Sequence, residues 1–391
     1  MVTVNIHMEL KPSVSAVLFL LLALFVLLKT ANTHESSAVG HGVWRGRIET
    51  VTAAGVMLST SCGTFWASDT ALSLRALRGD SILVLGLAHG RFITPYSIRL
   101  KESQSIFSRM RRAYRNLLIR RIPDQAARGL TGGLTMGLRG LIPKEVSALF
   151  KSTGTTHLLA LSGLHTVMVA VVITAFFRVF LGRRASSFAA ASVFTILFVL
   201  LSGARASTVR AGIMSAAGLL WSGFRGGRIH SLSVWWAALL LSVLLWPEVV
   251  NDPGAQMSFS AVLSLIFIGK SYRGKAAFIL SPLHAGVAVT AGLLPLLLHI
   301  YGGVVPTGPL ATVLSLLPLM SVMIAGTLVS AGLKFLLPLL TLITSIWMEI
   351  LRFLGAEPLF ISNEVIMICW VPALVILRIW AKWNGFNRRF R

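Results

Sequence analysis

Residues 156–169 read THLLALSGLHTVMV, a stretch that is almost wholly apolar and yet carries two histidines and a serine. Further apolar segments follow it, with short connections, as far as residue 381. A run of about 17 to 25 apolar residues is long enough to cross a bilayer as a helix. This stretch therefore decides the fold class: we expect an α-helical polytopic membrane protein whose spans contain a few polar groups.

The composition of the whole chain supports a membrane protein. Of 391 residues, 55% are hydrophobic and 13% are charged, whereas soluble domains average about 25% charged residues. Together with one apolar segment near the N-terminus, nine later segments predict about ten spans. The nine segments are 157–181, 187–203, 206–224, 231–247, 255–269, 276–300, 308–333, 335–354 and 365–381. Glycine or proline interrupts several of them, notably at Gly203, Pro253–Gly254, Pro295 and Pro306–Pro309.

Five regions follow from the pattern. Residues 14–28, VSAVLFLLLALFVLL, resemble a signal-peptide core, but no clean cleavage site follows at once, so we expect a retained anchor. The regions are an anchor (1–33), a β domain (34–103), a basic amphipathic helix and connector (104–156), a main membrane domain (157–333) and C-terminal membrane helices (334–391).

The β domain is predicted from short runs of strand-forming residues separated by glycine and aspartate. The runs are VWRGRIETV (43–51), GVMLST (55–60), SILVLGLA (81–88) and RFITPYSIRL (91–100). Several short strands at this spacing are typical of a small all-β module. We expect a five-stranded barrel of the OB type.

Charge in the loops predicts the orientation. With the N-terminus in the cytoplasm, every loop after residue 180 agrees with the positive-inside rule, because basic and acidic loops alternate. Both termini are then cytoplasmic and the β domain is extracytoplasmic. One region disagrees: the segment 104–124 carries many arginines on the outer side.

Two explanations of that segment stay open. Its apolar residues recur at helical spacing, which is typical of a helix lying on a membrane surface. A folded outer domain can escape the positive-inside rule. Alternatively, the arginines bind phosphate groups of lipids or of nucleic acid. The nucleic-acid candidates, in this helix and in the β domain, are Arg45, Arg47, Arg109, Arg111, Arg112 and Arg115.

Polar side chains within spans are costly unless they are paired or hydrated, so they mark functional sites. His157 and His165 are eight residues apart, about 12 Å along one helix, and cannot share a metal there. No metal or cofactor motif is present, and we expect neither. Ser162 and His165 could touch as a hydrolase dyad, while Gly163 favours close helix packing. Arg205 and Arg210 require a wet or anionic environment.

Four segments, in this order, resemble the ComEC-type competence membrane proteins, a DNA-uptake family. They are GLTMGLRGLIPKEVSALFKSTGTTHLLALSGLHTVMVA (133–170), LLSGARASTVRAGIM (200–214), NDPGAQMSFSAVLSL (251–265) and LLPLLLHIYGGVVPTGPLATVLSLLPL (293–319). The resemblance covers the chain from the β domain to about residue 330. It implies that 157–333 is a competence-type channel domain, which passes one strand of incoming DNA across the bacterial inner membrane.

The resemblance also implies the site and the partners. The expected channel-lining or channel-shaping residues are His157, Ser162, Gly163, His165, Arg210, Asp252, Gln256 and Ser258, to which we add Arg205 for its charge. Single-stranded DNA and membrane lipids are the expected ligands. A DNA receptor, a cytoplasmic helicase or ATPase, a separate nuclease and a second copy of the chain are candidate partners.

Two departures from the family pattern affect these expectations. Relatives often continue into a metallo-β-lactamase-like domain with an HxHxDH motif, which this sequence lacks, so we expect no enzyme activity. Pro309-Leu310-Ala311 stands where relatives usually have Asn-Leu-Leu. Two other functions stay open: a transporter of a smaller anionic solute or lipid, and an intramembrane hydrolase built on Ser162 and His165.

Overall fold

The computed structural model describes residues 38–52, 54–60, 63–90, 92–159, 163–182, 185–204, 206–224, 231–245, 249, 252–268, 277–301 and 303–357. A β-barrel comes first, three helices follow it, and a series of apolar helices completes the described fold. The expected anchor 1–33 and the expected span 365–381 lie outside the described residues.

Five strands close into a barrel. They are β1 (Ala38–Thr52), β2 (Gly55–Thr60), β3 (Gly63–Ala67), β4 (Ser81–Gly90) and β5 (Phe92–Lys101). Neighbours around the barrel follow the order β1, β2, β3, β5, β4, and β3 pairs with β5 in parallel. A short helix, α1 (Thr70–Arg75), connects β3 to β4. The expectation of a five-stranded barrel is therefore confirmed.

The barrel has a hydrophobic core of its own because successive side chains alternate between its two faces. On β4, Ile82, Val84 and Ala88 are buried, while Ser81 and Leu85 are exposed. Fully burying one such aliphatic side chain contributes about 1.5–3 kcal/mol. Other strands add Ile48, Val56, Leu58, Phe65 and Ile93 to this core.

Apolar helices occupy most of the chain after residue 155. They are α5 (Thr156–Leu159), α6 (Gly163–Leu181), α7 (Ala185–Leu201), α8 (Ala206–Phe224), α9 (Ser231–Leu245), α10 (Pro253–Ile268), α11 (Ala277–Tyr301), α12 (Gly308–Ala331) and α13 (Leu337–Leu354). They lie close to the predicted segments. Within the predicted span 157–181, α5 and α6 lie on either side of residues 160–162, which are outside the described residues. One difference is that Pro295 lies inside α11 and does not end it.

The number of spans is not confirmed. Within the described residues, three helices are long and apolar enough to cross a membrane: Gly163–Leu181, Gly308–Ala331 and Lys334–Leu354. Shorter apolar helices are Ala185–Leu201, Ser231–Leu244, Gly254–Phe267 and Leu280–Leu294. The figure of about ten spans stays a prediction.

Between the barrel and these apolar helices lie α2 (Ile106–Arg121), α3 (Gln125–Met136) and α4 (Lys144–Ser152). Close contacts fix them against the C-terminal helices. A Cβ on Gly326 of α12 would lie 2.3 Å from Oγ1 of Thr131 on α3. Phe150 of α4 meets the ring of Trp347 on α13 edge-on, with centroids 5.2 Å apart. The shared core therefore joins α2–α4 to α12 and α13 as one packed unit.

Candidate functional site

Three of the segments singled out in the sequence meet at Arg210, one turn into α8. Its guanidinium donates from Nη2 to the Ser258 hydroxyl of α10 at 2.6 Å. Gly163, the first residue of α6, lies against the same group, since a Cβ there would be 2.6 Å from Nη2. Arg210 is only 3% exposed. The structure thus brings three predicted channel residues together around one buried cation.

Neutral groups surround the rest of this guanidinium. Its Cζ lies 5.3 Å from the centroid of the Phe259 ring, and Nη1 lies 3.4 Å from Sδ of Met214. Among the described residues, no Asp or Glu forms an ion pair with Arg210. An isolated buried charge is costly, and water or an anion that reaches it lowers that cost. The arrangement is therefore suited to attracting an anion.

Helix ends add to the positive potential. Gly163 is the first residue of α6, Arg210 the fifth of α8 and Ser258 the sixth of α10. At 1.5 Å per residue, the two side chains on α8 and α10 start about 6 to 8 Å from the helix N-termini. Helix N-termini carry a partial positive charge. Arg210 and Ser258 therefore lie about one turn from the starts of α8 and α10, and the Asp252 carboxylate offsets part of the positive charge at the start of α10.

The predicted histidines are placed differently from each other. His165 on α6 has no exposed surface, and neither has its neighbour Thr166. His157 is exposed on the short helix α5. Ser162 lies outside the described residues, so its contact with His165 and its role in a channel stay predictions.

Asp252 lies at the N-terminal end of α10. Its carboxylate accepts hydrogen bonds from the backbone N–H groups of Gly254 and Ala255 at 3.3 and 3.1 Å. This is an N-cap, which satisfies backbone donors at the start of a helix. Gln256 lies one residue beyond Ala255 and is half-buried. Both predicted residues therefore belong to the same helix start as Ser258.

The turn that leads into α8 is held by a residue from the barrel domain. Arg78 donates from Nη1 to the carbonyl oxygens of Gly203 and Ala204 at 3.0 and 3.2 Å. Ala204 has a φ of +46°, a left-handed conformation that costs a non-glycine residue about 1 kcal/mol or more. The charge of Arg78, its only signal in the sequence, did not indicate that it holds the turn before α8. The predicted Arg205 lies outside the described residues.

Three of the six α2 arginines face the barrel. Arg112 donates from Nη2 to the buried Asp80 carboxylate at 2.5 Å. Arg111 donates to the carbonyl oxygen of Arg78 at 3.4 Å, and Arg115 bonds to two carbonyl oxygens of the α1 end at 2.7 and 3.2 Å. These three arginines, predicted to bind nucleic acid, therefore link α2 to the barrel.

Burial and neighbouring charges alter the ionisation of this junction. Burial lowers the pKa of Arg111; the Asp80 carboxylate opposes this, and Arg78 and Arg112 add to it. Burial likewise lowers the pKa of Arg78, while the Asp252 carboxylate has the opposite effect. Arg78 and Arg112 therefore crowd the Arg111 guanidinium with like charge, and the Asp80 carboxylate offsets part of it.

The remaining arginine candidates are on the surface. Arg45 and Arg47 of β1 are exposed, and so is Arg109 of α2. These three of the six candidates are therefore the ones whose side chains are exposed to solvent. Within the described part of the chain, no three His, Cys, Asp or Glu side chains form a group that could hold a metal ion.

Comparison with known proteins places these residues in a family context. Residues 134–383, well over half of the chain, match the family described as Competence protein. This range includes α5 to α13 and therefore Gly163, Arg210 and Ser258.

Individual relatives agree with that match. The chain is 32% identical over 157 residues to Competence protein ComA of Neisseria gonorrhoeae, covering 38% of this chain and 22% of the relative. It is 29% identical over 178 residues to ComE operon protein 3 of Bacillus subtilis, covering 45% and 22%. It is also 26% identical over 205 residues to the uncharacterized protein YcaI of Escherichia coli, covering 47% and 26%. The chain thus spans about a quarter or less of the length of these relatives, and no solved structure matches it significantly.

Proposed function

The chain belongs to the Competence protein family, and from this premise we propose that it acts in DNA uptake as a channel for single-stranded DNA. The chain is a membrane protein with several apolar helices. We place it in the bacterial inner membrane, with both termini in the cytoplasm and the barrel outside. The names of the relatives ComA and ComE operon protein 3 support a role in competence.

The Arg210 cluster is the observation that carries the proposal. A DNA strand brings one phosphate charge per nucleotide, and a path for it needs cations that are not already neutralised. Arg210 meets that need, because its described neighbours are a hydroxyl, a thioether and an aromatic ring rather than a carboxylate. The N-terminal end of α8, one turn before Arg210, favours the same anion. Ser162, His165 and Arg205 are further candidates for lining the path.

The barrel lies at the start of this path. Its strand order, with β3 parallel to β5 and a helix between β3 and β4, supports an OB-type fold. Arg78 connects the barrel to the turn before α8, because it bonds to Gly203 and Ala204, which lie seven and six residues before Arg210 along the chain. We propose that DNA contacts the barrel first and then passes towards Arg210.

The proposal assigns no enzyme activity to this chain. A partner helicase or ATPase would supply the energy for DNA movement, and a separate nuclease would cleave the second strand. A DNA receptor is a further proposed partner. A homo-oligomer is an additional arrangement that the channel role accommodates. No cofactor enters the proposal.

Labelled-DNA uptake tests this function. A host strain lacking its own copy is complemented with wild type, Arg210→Ala or Arg210→Lys, and imported single strands are quantified. We expect uptake to be lost with Arg210→Ala and partly retained with Arg210→Lys, since lysine keeps the charge. If Arg210→Ala imports DNA at the wild-type level but loses uptake of a smaller anion, the alternative of an anionic-solute transporter replaces the channel.

A further inference from the structure

The outer surface of the barrel carries exposed aromatic rings that its core does not need. Phe92 and Tyr96 on β5 are 64% and 60% exposed. The His41 ring of β1 stacks on Tyr96, with centroids 5.7 Å apart and an angle of 26° between the planes. Large apolar groups gathered on a soluble surface mark an interaction site. Val43 and Leu85, which are cross-strand neighbours, extend the apolar part of this surface.

Positive side chains continue the same surface along the strands. Arg45 and Arg99 both pair with Leu83, so they flank it in one cross-strand row. Arg47 and Lys101 flank Ser81 in the next row. Rows are about 6.6 Å apart, because side chains on one face recur every second residue. At the described outward positions of β1, β4 and β5 from 41 to 47, 81 to 89 and 92 to 101, no Asp or Glu occurs.

We propose that this outer face of β1, β4 and β5 binds single-stranded DNA without sequence preference, with bases stacked on Tyr96 and Phe92 and phosphates on Arg45 and Arg99. Unpaired bases of every type can stack on aromatic rings, and a basic surface next to those rings holds the backbone. Protein interfaces, in contrast, are depleted of charge at their centre. The choice of DNA as the ligand rests on the proposed function.

The position of the face on the molecule agrees with this ligand. Its basic end adjoins the loop before β4, where Arg47 donates from Nε to the carbonyl oxygen of Gly79 at 3.4 Å. The preceding residue in that loop, Arg78, holds the turn before α8. A strand leaving the basic rows therefore meets the junction that leads towards Arg210. This face lies on β1, β4 and β5, and so it is distinct from the β2–β3 surface that OB domains generally use.

Binding of a fluorescein-labelled oligothymidylate to the purified full chain in detergent, measured by anisotropy over a salt series, tests the face. Two double variants address its parts: Tyr96→Ala with Phe92→Ala, and Arg45→Gln with Arg99→Gln. The matched control is Arg120→Gln with Lys151→Gln, which removes two exposed charges elsewhere. Tyr96→Phe retains a ring and Arg45→Lys retains a charge, so both should bind like wild type.

The ring variant and the arginine variant should change Kd and its salt dependence in different ways. The ring variant, which removes two stacking rings, should raise Kd about thirtyfold or more at every salt concentration, because each stacked base contributes about 1 kcal/mol or more. The arginine variant should also lower the salt slope by about 1.4, since each phosphate contact on a single strand contributes about 0.7. The charge control should change neither quantity by a similar amount.

Three results would overturn the inference: no binding by wild type, equal losses in the control and the arginine variant, or unchanged Kd in both face variants. A change of oligomeric state by light scattering in the ring variant, with Kd unchanged, would instead make the face an interface between copies and also overturn it. Arg210→Ala distinguishes the inference from the proposed function. If the Arg210→Ala variant imports DNA normally, the proposed channel function is refuted. Oligonucleotide binding to the barrel face still tests the inference separately.

Discussion

Replacing Asp80 tests how the barrel is attached to the helices. This carboxylate is fully buried. Its Oδ1 accepts from Nη2 of Arg112 at 2.5 Å and from the Ser103 N–H at 2.8 Å, and its Oδ2 accepts from the Leu77 N–H at 2.9 Å. One side chain thus joins the loop before β4, the end of β5 and α2. Together these three hydrogen bonds require both carboxylate oxygens to act as acceptors.

Asp80→Asn places an amide NH₂ where only acceptors fit, and it leaves the buried Arg112 guanidinium without its main counter-charge. Breaking a buried ion pair from one side costs about 3–5 kcal/mol. Glu102→Gln is the matched control, because Glu102 faces the same guanidinium at 3.1 Å but is 51% exposed. An exposed pair contributes about 1 kcal/mol or less.

Urea unfolding of the purified chain in detergent, followed by tryptophan fluorescence and by protease cleavage between 77 and 103, measures both variants. We expect a large loss of stability of the barrel for Asp80→Asn and a small one for Glu102→Gln. A double variant, Asp80→Asn with Arg112→Gln, should lose less than the sum of the single changes. Equal effects of the two single variants, or a loss under about 1 kcal/mol for Asp80→Asn, would refute the buried-pair reasoning.

Two glycine substitutions give further predictions. Gly163→Ala puts a Cβ 2.6 Å from Nη2 of Arg210. It should lower transformation about tenfold, because weakening one charged hydrogen bond by about 1.4 kcal/mol has an effect of that size. Gly218→Ala, whose Cβ meets nothing within 4 Å, should leave transformation unchanged, and equal transformation by the two variants would contradict the contact. Gly326→Ala puts a Cβ 2.3 Å from Oγ1 of Thr131, so the thermal stability of the detergent-solubilised chain should fall by about 1–3 kcal/mol. A gain in stability there, as helix propensity alone predicts, would refute the tight α3–α12 packing.

Local patterns were sufficient to predict many elements. The run 55–60 is β2 as expected, and the segment 206–224 is α8 as expected. Alternation and long apolar runs depend only on neighbouring residues, so a single sequence reveals them. The strand GTFWA (63–67) was missed because Phe65, Trp66 and Ala67 are adjacent, so the run shows no clear alternation of apolar and polar residues.

Contacts between distant segments could not be predicted in the same way. Helical spacing separated the arginines of α2 from its apolar residues, but it could not show that Arg111 and Arg112 face the barrel rather than solvent. Asp80, which holds Arg112, lies 32 residues away in another element. Periodicity in the sequence shows that one face of a helix is polar, but it does not show which part of the protein packs against that face.

The candidate site shows the same division. Arg210 was predicted because a cation in an apolar stretch is costly, and Ser258 and Gly163 came from the resemblance. Their meeting at one guanidinium depends on how α6, α8 and α10 pack. Gly163 was expected to let helices approach each other, and the structure gives its nearest contact as the Arg210 side chain.

Cross-linking to a DNA strand in transit shows whether the strand passes the Arg210 guanidinium. In a chain with Cys62 and Cys369 replaced, Ser258→Cys puts a thiol at the position that Nη2 of Arg210 contacts. The matched control is Val179→Cys, 79% exposed on the outer surface of α6. Cells import DNA that carries thiol-reactive groups and a streptavidin block on its trailing end. The account predicts cross-linked DNA at position 258 and none at position 179; no cross-link at 258 during active uptake, or equal cross-linking at both positions, would contradict it.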